Sequence, residues 1–118
     1  MREQVLRIVE AYIDGIRNNN IDAVPVHPDV VFESPVRSIR GIANFRKGIE
    51  DFVPILKSIE VVHLTADDDT CAAVLKVDTA FGLIPFVEFL QIADGQIVSV
   101  RAYYDPRPIL EGMGRMMA

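Results

Sequence analysis

PFVEFLQIADGQIVSVRAYYDPRP, residues 85–108, reads as two β-strands joined at Ala93-Asp94-Gly95-Gln96. Asp-Gly at the centre of a tight hairpin supplies the two positive-φ residues that its geometry demands. Side chains alternate across a strand, so Phe86, Glu88, Leu90 and Ile92 share one face, with Val87, Phe89 and Gln91 on the other. On the return strand Val98, Val100, Ala102 and Tyr104 face together, opposite Ser99, Arg101 and Tyr103. Glu88 breaks the pattern. It puts a carboxylate on a face of Phe, Leu and Ile, where an ionised group is costly unless it is paired, hydrogen-bonded or protonated.

Upstream of the hairpin, Cys71 to Phe81 reads as a long strand bounded by Gly82 and Pro85, and Ile59 to Ala66 as another. Between them Asp67-Asp68-Asp69-Thr70 lacks the alternating ligands, Gly and Glu of a calcium loop, so it reads as a solvated turn. Ile42, Phe45, Ile49 and Phe52 form a helical stripe over residues 41–52, preceded by a loop from Pro35 to Gly41 that holds Arg37 and Arg40. Val30 to Ser34 is a β-branched strand closed by Pro35; with Phe32 facing in, Ser34 faces in too and Glu33 faces out. At the amino end, Val5, Leu6, Val9, Tyr12, Ile13 and Ile16 predict an amphipathic helix over 3–18, ended by three asparagines that tolerate left-handed geometry. Ile21 to Val24 is a short second helix stopped by Pro25 and Pro28. The tail RPILEGMGRMMA is short and weakly helical, its methionines suited to a cavity mouth, a partner surface or a frayed end. Helices gathered on one side of a meandering sheet make an α+β domain. A long curved sheet with helices across its concave face encloses a cone, and an apolar pocket forms where inward strand residues meet the first helix.

The 118 residues allow one domain with a real core. Seventeen acidic against twelve scattered basic residues give a net charge of −5, which disfavours nucleic acid and anionic membranes. Cys71 is the single cysteine, so neither an intrachain disulfide nor a Cys-His metal framework is expected. The start MREQVLRIVE has the wrong charge and periodicity for a signal peptide. The most apolar run, FGLIPFVEFL, is about half the ~20 residues of a membrane helix. A cytoplasmic location is the expectation.

The element order resembles the nuclear transport factor 2-like superfamily, in its SnoaL-like and ketosteroid isomerase-like branch. AYIDGIRNNNIDAV, DVVFESPV, RGIANFRKGI and EFLQIADGQIVSVRAYYDPRP carry the resemblance. It implies a single SnoaL-like domain over 1–118: a cystatin-like α+β cone, its curved antiparallel sheet wrapped around the N-terminal helices and an apolar pocket. It also implies no metal or organic cofactor, and a homodimer through the outer sheet face, here Val87, Phe89, Ser99, Arg101 and Tyr103. The isomerases of this branch hold a dienolate oxygen with a helix-one tyrosine and a protonated carboxylic acid, while an aspartate moves the proton. Tyr12 in AYIDGI matches the tyrosine, and Glu88 in VEFLQIADG matches the acid. The aspartate position, immediately before a proline, is Ser34 in FESPV. Serine does not replace a carboxylate base without an activator. An ordinary steroid isomerase is therefore not expected.

Three functions remain open on these residues. The first is a cofactor-independent isomerase, cyclase or lyase acting on an apolar carbonyl compound by enolate stabilisation, with Tyr12 and Glu88 catalytic. Phe32, Ser34, Phe86, Leu90, Val100, Ala102 and Tyr104 are then the substrate contacts. The second is a non-catalytic binder of a small apolar ligand. The third is a module whose cone is closed by Phe32, Phe45, Phe52, Phe81, Phe86 and Tyr104. Asp105 is a rim carboxylate or, the favoured reading, part of the strand's closure. His27 lies in a surface turn; His63 becomes a substitute base only if it faces inward.

Overall fold

The computed structural model describes residues 1–117. Helix α1 (Arg2–Arg17) buries Val5, Ile8, Val9, Tyr12, Ile13, Gly15 and Ile16 along one side. Its end follows the asparagine reading: Asn19 is left-handed (φ 51°), and Asn20 N–H donates to the Gly15 carbonyl at 2.7 Å. A single 3-10 turn, Ile21–Ala23, replaces the short second helix.

The sheet has six strands: β1 (Val26–Glu33), β2 (Ser38–Arg40), β3 (Leu56–Ala66), β4 (Thr70–Thr79), β5 (Gly82–Ala93) and β6 (Gln96–Tyr104). Helix α2 (Ile42–Phe52) lies between β2 and β3 in sequence, and α3 (Arg107–Met117) follows β6. The strand order is β2-β1-β6-β5-β4-β3. Every adjacent pair is antiparallel except β1 and β6, which run parallel. The fold is thus α+β, three helices on a mostly antiparallel sheet.

Two strands depart from the sequence reading. β1 starts at Val26, so the Val-His-Pro-Asp segment expected as a turn is strand. Its register with β6 shifts between Val26 and Val31, and Pro28 is accommodated inside that irregularity. β2 occupies the expected loop between Pro35 and Gly41; three residues are too few to show alternation, and only pairing with β1 makes them a strand.

At the hairpin, Asp94 and Gly95 have φ of 52° and 75°, the paired positive values that a tight turn requires. On β5 the alternation holds without a break: Phe86, Glu88, Leu90 and Ile92 are buried, and Val87, Phe89 and Gln91 are exposed. β6 corrects the sequence reading at one place. Gln91 pairs with Ser99 but Ile92 pairs with Ile97, leaving Val98 as the extra residue of a bulge. Ile97, fully buried, therefore takes the inward place assigned to Val98, while Val100 and Ala102 keep theirs. Fully buried Leu90 and Val100 pair across β5 and β6, each such side chain stabilising the fold by roughly 1.5–3 kcal/mol.

Candidate functional site

Glu88 sits in the middle of β5, facing the helices. Its cross-strand neighbours are Ala73 on β4 and Ala102 on β6, both buried. Two alanines beside a glutamate leave the space above the sheet to the carboxylate and to whatever comes down from the helices. What comes down is Tyr12, 2% exposed, from the buried stripe of α1. The Tyr12 hydroxyl faces the Glu88 carboxyl, near enough for hydrogen bonding between them to shift the ionisation of both groups.

The electrostatics follow from that burial. Removal from water pushes the Glu88 carboxyl up to about 7, and the hydrogen bond from Tyr12 pulls it part of the way back. Tyr12 moves well above its ordinary value, first through burial and then through the neighbouring carboxylate. Near neutral pH, Tyr12 is a permanent donor and Glu88 is divided between acid and carboxylate. Such a carboxyl is suited to giving and taking protons.

Aromatic rings frame the pair. Phe45 of α2 stacks on Tyr12 with centroids 6.2 Å apart, and Phe32 of β1 meets Phe45 at 6.0 Å. One layer towards α3, Phe86 stacks on Tyr104 at 4.2 Å, and Phe52 packs against Phe86 at 6.5 Å. Leu90 and Val100 form the layer on the other side of Glu88. Of the expected ligand contacts, Phe86, Leu90, Ala102 and Tyr104 thus surround Glu88, whereas Phe32 reaches Tyr12 through Phe45. Glu88 itself is only 8% exposed. Two surface clefts, one by Met1 and Asp67–Asp69 and one between α1 and β3, do not reach it.

Ser34 is elsewhere. It lies past the end of β1, where its hydroxyl accepts from Val36 N–H at 3.3 Å and donates to the Arg37 carbonyl at 3.4 Å. That engagement ties the hydroxyl into the β1–β2 turn. His63 is exposed and shares a 2.7 Å hydrogen bond with Thr65, which removes it as a substitute base. Asp105 is structural: it accepts from Arg107 N–H at 3.0 Å and from the Arg107 guanidinium, which holds its carboxyl down at about 2. Among the described residues no group of three or more His, Cys, Asp or Glu side chains is placed to hold a metal ion. Ala73 is the site neighbour that the sequence did not single out; Phe45, read from the sequence only as a core ring of the helical stripe, is brought against Tyr12. Alternation along β4 puts Ala73 inward, but only the register places it opposite Glu88.

On the far face of the sheet, Val87, Phe89 and Tyr103 are exposed, and Val74 pairs beside Val87 to extend the apolar strip across three strands.

The family model of the SnoaL-like domain matches residues 9–100, and the chain belongs to that family. A crystal structure of a protein from Kribbella flavida DSM 17836 is similar at a TM-score of 0.86 and 25% identity, covering 96% of this chain and 97% of that one. An NTF2-like protein of unknown function from Cytophaga hutchinsonii ATCC 33406 is similar at 0.79 and 18%, over 87% and 91% of the two chains. A steroid delta-isomerase from Pseudomonas aeruginosa is similar at 0.76 and 17%, over 97% and 91%. The last two share the fold, which hosts more than one function. No curated protein sequence matches the chain.

Proposed function

We propose that this SnoaL-like chain is an enzyme that moves a proton on a small apolar carbonyl compound, without a cofactor, through an enolate. The observation that carries the reading is a carboxyl buried in the middle of β5 between two alanines and facing a buried tyrosine hydroxyl, a setting that raises its pKa. When substrate enters, the single Tyr12 O–H turns from Glu88 to the carbonyl oxygen and donates there as negative charge develops; in a water-excluded site such a donor contributes about 10²–10³ in rate. Glu88, as the carboxylate, takes the proton next to the carbonyl and, as the acid, returns it to another carbon. One carboxyl then does both halves of the transfer, which fits a chain whose base position is serine. The aromatic frame of Phe52, Phe86 and Tyr104 suits a flat apolar substrate.

A second reading, a non-catalytic binder of such a compound, is favoured by the engagement of Ser34 in its turn. A panel of β,γ-unsaturated ketones separates the two. The enzyme converts them to conjugated enones and loses about a hundredfold or more in both Glu88→Gln and Tyr12→Phe. The binder turns over none of them, yet its melting temperature rises with the same ketones. The exposed strip of Val74, Val87, Phe89 and Tyr103 supports assembly as a homodimer through the outer sheet face, which sedimentation equilibrium tests.

A further inference from the structure

A buried reactive pair needs a way in. The sheet register shows where one lies. From Glu88, the next inward residue of β5 towards the β4–β5 turn is Phe86, paired with Tyr104 at the end of β6. Three residues beyond Tyr104 the chain enters α3, so α3 begins at the rim of the layer next to Glu88.

That helix is weakly held. Along 107–116 only Gly112 is buried, with Pro108 and Ile109 half-buried; Leu110, Met113 and Met116 are exposed. Gly112 is seated directly on the Phe81 ring, and a Cβ there would clash with three of its ring atoms. The ring belongs to the β4–β5 turn, which is itself fixed: Thr79 Oγ1 accepts from Phe81 N–H at 3.1 Å and donates to the Gly82 carbonyl at 2.8 Å. The other end of α3 is anchored by the Asp105 cap on Arg107 N–H. Two glycines, Gly112 and Gly114, each weaken the helix interior by about 1 kcal/mol relative to alanine. A helix with one firm end, one small latch and low intrinsic stability is built to open before the rest of the domain.

We propose that α3 is a hinged lid, pivoting at Asp105–Arg107 and latched by Gly112 on Phe81, and that ligand reaches Tyr12 and Glu88 by lifting it. The opening itself is independent of what the site does; its use as a ligand gate rests on the function proposed above. Lifting α3 frees Gly112 from the Phe81 ring and Ile109 from the core, at the end of the sheet where Phe86 and Tyr104 stack and a flat ring can enter by stacking.

Hydrogen exchange of the full chain at neutral pH, followed residue by residue, tests the opening. Amides of 109–116 exchange at least about 100-fold faster than the buried-face amides of α1 and the central amides of β5. Equal protection in α3 and α1 overturns the lid. Stopped-flow binding of 2-acetonaphthone, a flat neutral ketone, tests the gate. In Gly112→Val, which wedges the latch apart, and in Phe81→Ala, which removes it without a clash, the association rate rises about tenfold, with the main unfolding transition retained. An association rate unchanged in both variants overturns the gate. Fast exchange in α3, with no ketone bound by the native chain or either variant, supports the lid and contradicts the carbonyl-ligand reading instead.

Discussion

The Glu88 carboxyl and the Tyr12 hydroxyl share one buried site, and each changes what the other can do. Burial alone disfavours a carboxylate; the tyrosine is the group that makes its ionised form tolerable at neutral pH. Burial first, and then the neighbouring carboxylate, keep the tyrosine protonated far beyond neutrality. The relationship joins α1 to the centre of the sheet, so it bears on stability as well as chemistry.

Glu88→Gln tests the stability side. The folded carboxyl titrates at about 7 against an ordinary 4.5, so the folded state binds the proton more tightly than the unfolded chain. The native protein therefore carries its full stability below pH 4.5 and loses it progressively between 4.5 and 7, a loss on the order of 3 kcal/mol. Glutamine resembles the neutral acid and does not titrate. Urea unfolding gives nearly equal stabilities for native and variant at pH 4.5, and a more stable variant at pH 8. A variant less stable than the native chain at pH 8 contradicts the assignment.

The chemistry has its own pH dependence. If the carboxylate of Glu88 takes the proton, kcat/KM for a responsive ketone rises with pH through about 7 and then levels. Tyr12→Phe removes the donor that lowers the carboxyl, so the midpoint in that variant moves upward while the plateau falls. A rate that falls through the same range contradicts the proposed role of Glu88.

Gly15 tests the packing at the end of α1. Alanine there improves helix propensity by about 1 kcal/mol. Its Cβ, however, meets Val24 Cγ2 at 2.7 Å and the Asn20 carbonyl at 3.2 Å, and the latter belongs to backbone held in place by the Asn20 N–H bond to the Gly15 carbonyl. Overpacking of this kind costs about 1–3 kcal/mol, so Gly15→Ala destabilises by about 1 kcal/mol or more despite the better propensity. Thermal unfolding at pH 7 decides the sign.

Much of this arrangement is legible in the residues. Alternation alone places Glu88 inward, because a period of two along β5 admits no other face for it once Phe86 and Leu90 are buried. The helical stripe places Tyr12, and Asp94-Gly95 fixes the turn. What escapes is whatever depends on pairing. Val98 fits the inward pattern as well as Ile97 does, and only the bulge against Gln91 and Ile92 decides between them. Ser34 reads as inward by alternation with Phe32, but the strand ends at Glu33 and the turn claims its hydroxyl. α3 is understated by its two glycines, because the sequence does not show that one of them is required by the Phe81 ring.

The most direct measurement is the titration of the Glu88 side-chain carboxyl by carbon-13 NMR in the native chain and in Tyr12→Phe. A midpoint near 7 in the native protein, moving higher when the tyrosine hydroxyl is removed, is the predicted result. A midpoint near the ordinary 4.5, unmoved in Tyr12→Phe, contradicts the coupled buried pair on which the functional account rests.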